Sequence, residues 1–111
     1  MSTKNEFSKC PVTTTVNLIG NKLKPLIIYE LLKSPQRYKH FQYIIKGISS
    51  KVLTENLKQL EEDGLVQRTV FAEVPLRVEY SLTMLGEQVR PIIMALAEFG
   101  KQYKESYKLK E

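Results

Sequence analysis

The chain has 111 residues, the size of one ordinary domain. Hydrophobic residues make up 42% and charged residues 26%, which excludes a disordered chain. A single cysteine excludes an intrachain disulfide and, with a single histidine, a Cys/His zinc site. Residues 1–51 hold nine basic and two acidic side chains (+7), whereas residues 52–111 hold eight basic and ten acidic ones (−2). The basic first half suits a polyanionic partner, either nucleic acid or an acidic membrane surface.

Residues 1–9 are polar and predict a tail, followed by a domain over 10–111. The tail has no apolar stretch typical of a signal peptide, and no apolar run is long enough to span a membrane. With its lone cysteine, the chain is therefore expected to be cytoplasmic, with no membrane partner, no metal and no cofactor.

Three helices are predicted in the first half of the chain. Pro11 opens the first, because proline is favoured at the first helical position, and Gly20 ends it. The second, over residues 22–33, is apolar around most of its circumference, so we expect it to be largely buried. A short third helix covers residues 38–45 and ends at a turn in which Gly47 supplies a positive φ.

A fourth helix and a hairpin follow. Ser49 is a favourable N-cap for a helix over residues 50–63, in which leucines form one stripe and polar side chains lie opposite. The spacing of apolar residues then changes to a period of two, which predicts a β-hairpin formed by residues 65–71 and 77–82.

The last helical region begins after Thr83, with a break expected near Arg90-Pro91. Its apolar stripe exceeds what a terminal helix needs to cover a small core, which suggests a partner, most simply an identical chain. We therefore expect a homodimer formed through the N- and C-terminal helices, with the interface residues Val16, Ile92, Ile93, Leu96, Phe99 and Tyr103.

This order of elements is mainly α with a small β-hairpin and predicts a winged helix-turn-helix, an architecture that binds double-stranded DNA. The start of the fourth helix offers unpaired N–H groups, and its polar face suits a major groove. Arg37 and Lys39 are predicted to contact backbone phosphates, and Lys22 and Lys46 are weaker candidates for the same contacts. The wing offers Arg77, a side chain that suits a narrow minor groove. The predicted DNA contacts are Arg37, Lys39, Ser49, Ser50, Lys51, Thr54, Glu55, Lys58 and Arg77.

Several interpretations of this architecture stay open. A dimer would bind an inverted repeat, and a repressor is favoured because a small domain without a second module mainly blocks polymerase. Alternatively, the domain holds a protein partner through its C-terminal helix and does not bind DNA. A third possibility is a small-molecule sensor with a pocket between the second helix and the dimer helix. We predict no enzymatic activity, because His40 lacks catalytic partners in the sequence and no catalytic motif is present.

Residues 10–100 carry CPVTTTVNLIGNKLKPLIIYELL, QRYKHFQYIIKGISSKVLTENLKQLEEDGLVQR, EVPLRVEYSLTMLGEQVRPII and ALAEFG in that order. In these stretches the chain resembles the HxlR-type family of bacterial winged-helix transcription regulators, relatives of the MarR group. The resemblance implies a dimer that binds operator DNA through helix 50–63 and the wing. The chain departs from the family at Leu23, where tryptophan is usual, and at Pro25, where an aliphatic residue is usual. Both departures concern the packing of the second helix.

Cys10 follows Lys9 and precedes a helix N-terminus, and both features lower a thiol pKa and raise its reactivity. The resemblance implies a redox or electrophile sensor, since several family members sense oxidants or reactive carbonyls through the cysteine of this Cys-Pro pair. With no second cysteine, the products open to it are an intersubunit Cys10–Cys10 bridge, a mixed disulfide with a small thiol, or an alkylated thiol. The alternative is an inert thiol or a small buried hydrophobe.

Overall fold

The computed structural model describes residues 9–107. The predicted tail, except Lys9, and the predicted end of the domain at 108–111 lie outside the described residues. Within residues 9–107, no helix is both long and apolar enough to cross a membrane. The elements in chain order are α1 (Pro11–Ile19), α2 (Lys24–Lys33), α3 (Tyr38–Ile44), α4 (Ser50–Glu62), β1 (Val66–Phe71), β2 (Arg77–Leu82), α5 (Met84–Glu87) and α6 (Arg90–Tyr107).

The corner between α1 and α2 is organised by Asn21. Its side-chain oxygen accepts hydrogen bonds from the backbone N–H groups of Leu23 and Lys24, both at 2.8 Å. These bonds form a turn ahead of the helix, so α2 begins at Lys24 and not at Lys22 as the sequence predicted. Pro25 lies in the first turn of α2, where its missing N–H removes no helical hydrogen bond.

The core lies where α2, α3, α4 and the hairpin meet. The leucine stripe of α4 faces inward as predicted, and α2 is largely buried, except that Leu26 is 43% exposed. Leu26 borders a groove of about 280 Å³ between α2 and α6. The buried apolar residues are Ile19, Ile27, Ile28, Leu31, Phe41, Leu53, Leu57, Leu60, Leu65, Val66, Tyr80, Val89 and Ile93.

The helix-turn-helix is closed by two local features that the sequence predicted. Gly47, in the turn, has φ of +82°, a conformation that L side chains rarely adopt. Ser49 caps α4, since its hydroxyl accepts a hydrogen bond from the backbone N–H of Val52 at 3.1 Å. The two helices of the motif are therefore joined by a short turn of defined geometry.

The hairpin is antiparallel, with Val66 opposite Leu82 and Phe71 opposite Arg77. Its second strand also pairs with the loop before α3. Gln36 donates its N–H to the carbonyl of Tyr80 at 2.9 Å, and Tyr80 donates its N–H to the carbonyl of Gln36 at 2.8 Å. These two bonds fix the wing relative to the helix-turn-helix.

The predicted break in the last helical region is confirmed, because α5 ends at Glu87 and α6 begins at Arg90. Thr83 caps α5 as expected: its hydroxyl accepts from the backbone N–H of Gly86 at 3.0 Å and donates to the carbonyl of Gly64 at 2.6 Å. The cap thus joins the start of α5 to the turn that follows α4.

Candidate nucleic-acid interface

The outer face of α4 is polar and exposed. It includes Lys51, Glu55 and Lys58, while the leucine stripe on the other side of the same helix is 0–2% exposed. An amphipathic helix held by its apolar side presents its polar side at a fixed orientation. The predicted contacts that the structure brings together on this exposed surface are Ser49, Ser50, Lys51, Thr54, Glu55 and Lys58.

The orientation of this face is supported by α3. The Tyr38 hydroxyl donates to the backbone carbonyl of Ser50 at 3.0 Å and lies 2.9 Å from Thr54 Oγ1. Gln42 Nε2 donates to Ser50 Oγ at a longer 3.4 Å. From the sequence, Tyr38 was one of the apolar positions of the short third helix, and no role was predicted for its hydroxyl. A tyrosine at the edge of a core nevertheless usually needs a hydrogen-bond partner for this group.

The cations before and within α3 are also exposed. Arg37 is the N-cap residue of α3, and Lys39 lies in its first turn. The charge of Arg37 also contributes to lowering the pKa of Glu73. Arg37 and Lys39 flank Tyr38, whose hydroxyl contacts the first turns of α4, and the sequence predicted phosphate contacts for both.

Arg77 is engaged within the wing. Its Nη2 lies 2.9 Å from Glu73 Oε2, its Nη1 also pairs with Glu79, and its guanidinium lies 3.8 Å from the centre of the Phe71 ring. The hydrogen bond to Glu73 raises the pKa of Arg77, and the same bond lowers the pKa of Glu73. The sequence predicted that Arg77 is available to a minor groove. In the structure its guanidinium is already paired, so a contact with a phosphate would require Arg77 to give up one of its carboxylate partners.

His40 has a structural partner. Its Nε2 lies 2.9 Å from Glu30 Oε1, and Lys33 Nζ lies 3.0 Å from the other oxygen of the same carboxylate. Although burial opposes it, these hydrogen bonds hold the pKa of Glu30 below its ordinary value. His40 therefore joins α3 to α2. Within residues 9–107, no three His, Cys, Asp or Glu side chains are grouped to hold a metal ion.

Cys10 is exposed and is the N-cap residue of α1. The backbone N–H and hydroxyl of Thr13, followed by the backbone N–H of Val12, lower the pKa of its thiol. The lowering therefore comes from the start of α1, one of the two causes expected from the sequence.

The outer faces of α1 and α6 form one exposed apolar surface, here called the α1/α6 face. It includes a cleft of about 420 Å³ between the two helices, to which Val16 and Leu96 both contribute. Farther along α6, the Phe99 and Tyr103 rings stack with their centres 6.1 Å apart. The predicted interface residues that are 39–67% exposed on this face are Val16, Ile92, Leu96, Phe99 and Tyr103.

Ile93 does not belong to the α1/α6 face. It is 2% exposed, so the structure places it in the core of its own chain and not on the exposed surface expected for an interface residue. Neighbouring positions of a helix point about 100° apart, which turns Ile93 towards α2 while Ile92 faces outward. The sequence pattern identified both residues as apolar but did not show that Ile93 faces the core and Ile92 faces solvent.

Comparisons with known proteins agree with this architecture. The profile of the HxlR-like helix-turn-helix family matches residues 18–108. The HTH-type transcriptional regulator YdeP of Bacillus subtilis is 38% identical over 101 residues, which span 91% of this chain and 79% of YdeP.

Among solved structures, the redox regulator HypR in its reduced form superimposes with a TM-score of 0.83 at 36% identity, covering 88% of this chain and 97% of HypR. The reduced transcriptional regulator YodB of B. subtilis superimposes with a TM-score of 0.74 at 34% identity, covering 87% of this chain and 96% of YodB. These similarities confirm the predicted winged helix-turn-helix and the resemblance seen in the sequence. The chain belongs to the HxlR-like helix-turn-helix family of transcriptional regulators.

Proposed function

We propose that this regulator binds operator DNA as a homodimer and represses transcription, with α4 in the major groove. The observation that carries the proposal is the exposed polar face of α4, fixed from behind by leucines and from the side by Tyr38. A face of defined orientation is what sequence-specific contacts to base edges require. Lys51 and Lys58 supply charge on this face, and Arg37 and Lys39 supply charge beside it.

A second copy of the chain is the partner that suits the α1/α6 face. Phe99 is 67% exposed and Val12 is 70% exposed, an unusual amount of apolar surface for a small monomer. A two-fold dimer would bury the same patch on both subunits, and binding to successive major grooves requires its two copies of α4 to lie about 34–36 Å apart, one turn of DNA. The operator should therefore be an inverted repeat.

We further assign the sensing of oxidants or electrophiles to Cys10. The thiol is exposed at the start of α1, with its pKa lowered by the N–H groups there, so a larger fraction is thiolate at neutral pH. HypR, known in oxidised and reduced forms, supports a redox role. An oxidant such as diamide takes two electrons and two protons as Cys10 forms a disulfide, with the partner subunit's Cys10 or with a small thiol.

The alternative function is a winged-helix module that holds another protein through the α1/α6 face and does not bind DNA. The two functions predict different results when the full chain is used to select duplexes from a pool of random-sequence DNA. DNA binding predicts enrichment of one inverted repeat, and binding of that duplex by two protein chains in sedimentation experiments. A pool that stays random after repeated rounds would contradict the DNA-binding proposal and favour the protein partner.

A further inference from the structure

Asn56 is a polar residue on the buried side of α4. It is 8% exposed, one of two buried polar or charged residues among those described, and lies next to Leu53 and Leu57 in an otherwise apolar stripe. Its Nδ2 donates to the backbone carbonyl of Val52 at 2.8 Å, and its Oδ1 accepts from Asn21 Nδ2 at 2.8 Å. Both ends of the amide are thus used, so the side chain has one orientation here.

Asn21 links two helices to α4 through one amide. Its Nδ2 reaches Asn56, while its Oδ1 holds the first N–H groups of α2. It is also tied to the end of α1: a Cβ on Gly20 would lie 2.2 Å from the carbonyl oxygen of Val16, so the chain leaves α1 through a close approach that only glycine permits. The backbone N–H of Asn21 then donates to the carbonyl of Ile19 at 3.2 Å, which joins Asn21 to the last residue of α1.

The Asn21–Asn56 bond and the Tyr38 hydroxyl act on opposite flanks of α4. At about 100° per residue, Asn56 lies on one side of the leucine stripe, and Ser50 and Thr54, the residues bonded to Tyr38, lie on the other. Leucine packing is non-directional and sets the rotation of the helix only approximately, whereas hydrogen bonds constrain it more tightly. The rotation of α4 is thus set by polar contacts on both flanks.

The geometry points to Asn21 and Asn56 as positioning residues that set the rotation of α4 and couple it to the placement of α1. This inference rests on the proposed function, because α1 is the helix that carries Cys10 and contributes to the dimer face. In a dimer, the placement of α4 relative to the dimer face determines which half-site spacing the two copies fit. The pair therefore contributes to discrimination between operators as well as to stability.

The experiment uses the duplex that the wild-type protein selects from random DNA, together with versions carrying one base pair more or one fewer between the half-sites. Asn21→Asp keeps the oxygen that caps α2 but loses the amide that donates to Asn56. Asn56→Leu keeps the branching and the number of side-chain heavy atoms and removes both bonds. Ile28→Val is the control, because it trims a fully buried core residue outside the pair.

Each Asn variant is expected to bind the selected duplex about tenfold more weakly and to discriminate less between the spacings. The double variant should lose less than the sum of the two single losses, since the two residues share the Asn21–Asn56 bond. Ile28→Val should lower Tm and leave the spacing preference unchanged. If Asn56→Leu does not fold, the more conservative Asn21→Asp provides the same comparison.

Two results would overturn the inference in distinguishable ways. If the wild-type protein selects a duplex and the Asn variants keep its spacing preference, or if their losses add, the positioning role is wrong and the proposed function stands. If the wild-type protein selects no duplex, the proposed function fails and the positioning role fails with it.

Discussion

The hydroxyl of Tyr38 on α3 lies 2.9 Å from that of Thr54 on α4, on the exposed side of the helix-turn-helix. Because the same Tyr38 hydroxyl also bonds to the Ser50 carbonyl, it connects the supporting helix directly to the surface proposed to contact DNA. The proposed interface is thus held by side-chain hydrogen bonds in addition to core packing.

Tyr38→Phe removes this hydroxyl and leaves the ring. We expect a stability loss of about 1 kcal/mol, the net value of a typical hydrogen bond, and duplex binding weakened by up to about tenfold. Denaturant unfolding and fluorescence anisotropy with the selected duplex measure the two effects. Tyr43→Phe is the control, since Tyr43 is 79% exposed. Wild-type affinity in Tyr38→Phe would contradict the positioning role of this hydroxyl.

Glu73→Gln tests whether the ion pair with Glu73 keeps Arg77 from contacting DNA. The Glu73 carboxylate competes with phosphate for this guanidinium, so removing its charge should tighten duplex binding by up to about fivefold. The salt dependence of binding should become steeper. Glu98→Gln makes the same charge change on α6 and serves as the control. Equal effects of the two variants would show that Arg77 does not contact the duplex.

Cys10 should react with iodoacetamide with a pH midpoint below the ordinary thiol value of about 8.5, because the N–H groups at the start of α1 stabilise the thiolate. Mass spectrometry after timed alkylation, with glutathione as the reference thiol, measures this midpoint. Diamide should release the wild-type protein from its duplex but leave Cys10→Ser bound. If Cys10→Ser were released as readily, Cys10 would not be the sensor.

Phe99→Glu places a charge on the α1/α6 face and should produce monomers. Losing the second half-site should weaken duplex binding by about 100-fold or more, because the two contacts no longer act together. Lys101→Glu, on the opposite side of α6, should leave the dimer intact. Analytical ultracentrifugation distinguishes these outcomes, and a wild-type protein that sediments as a monomer would refute the assignment of this face.

Local features of the chain were predictable from the sequence because each depends on a few neighbouring residues. The Ser49 cap, the positive φ of Gly47 and the change to a period of two in the hairpin all appear where expected. The start of α2 was misplaced by two residues because the turn formed by Asn21 resembles a helix start in the sequence.

The parts of the site that were not predicted depend on which side chains the fold brings into contact. Arg77 is neutralised by Glu79 on its own strand and by Glu73 in the turn of the hairpin, an arrangement that alternation alone does not show. The bond between Asn21 and Asn56 joins residues 35 positions apart. Periodicity predicts neither arrangement, whereas it does predict the exposed stripe of α4.

The central claim is that the outer face of α4 contacts DNA, and Lys51→Ala tests it most directly. The measurement is the affinity for the selected duplex at several salt concentrations, with Lys101→Ala as a matched loss of one lysine. If Lys51 meets a phosphate, its variant should bind more weakly at every concentration, and the slope of log K against log salt should be shallower by about one. Identical affinity and slope in Lys51→Ala and Lys101→Ala would contradict the claim.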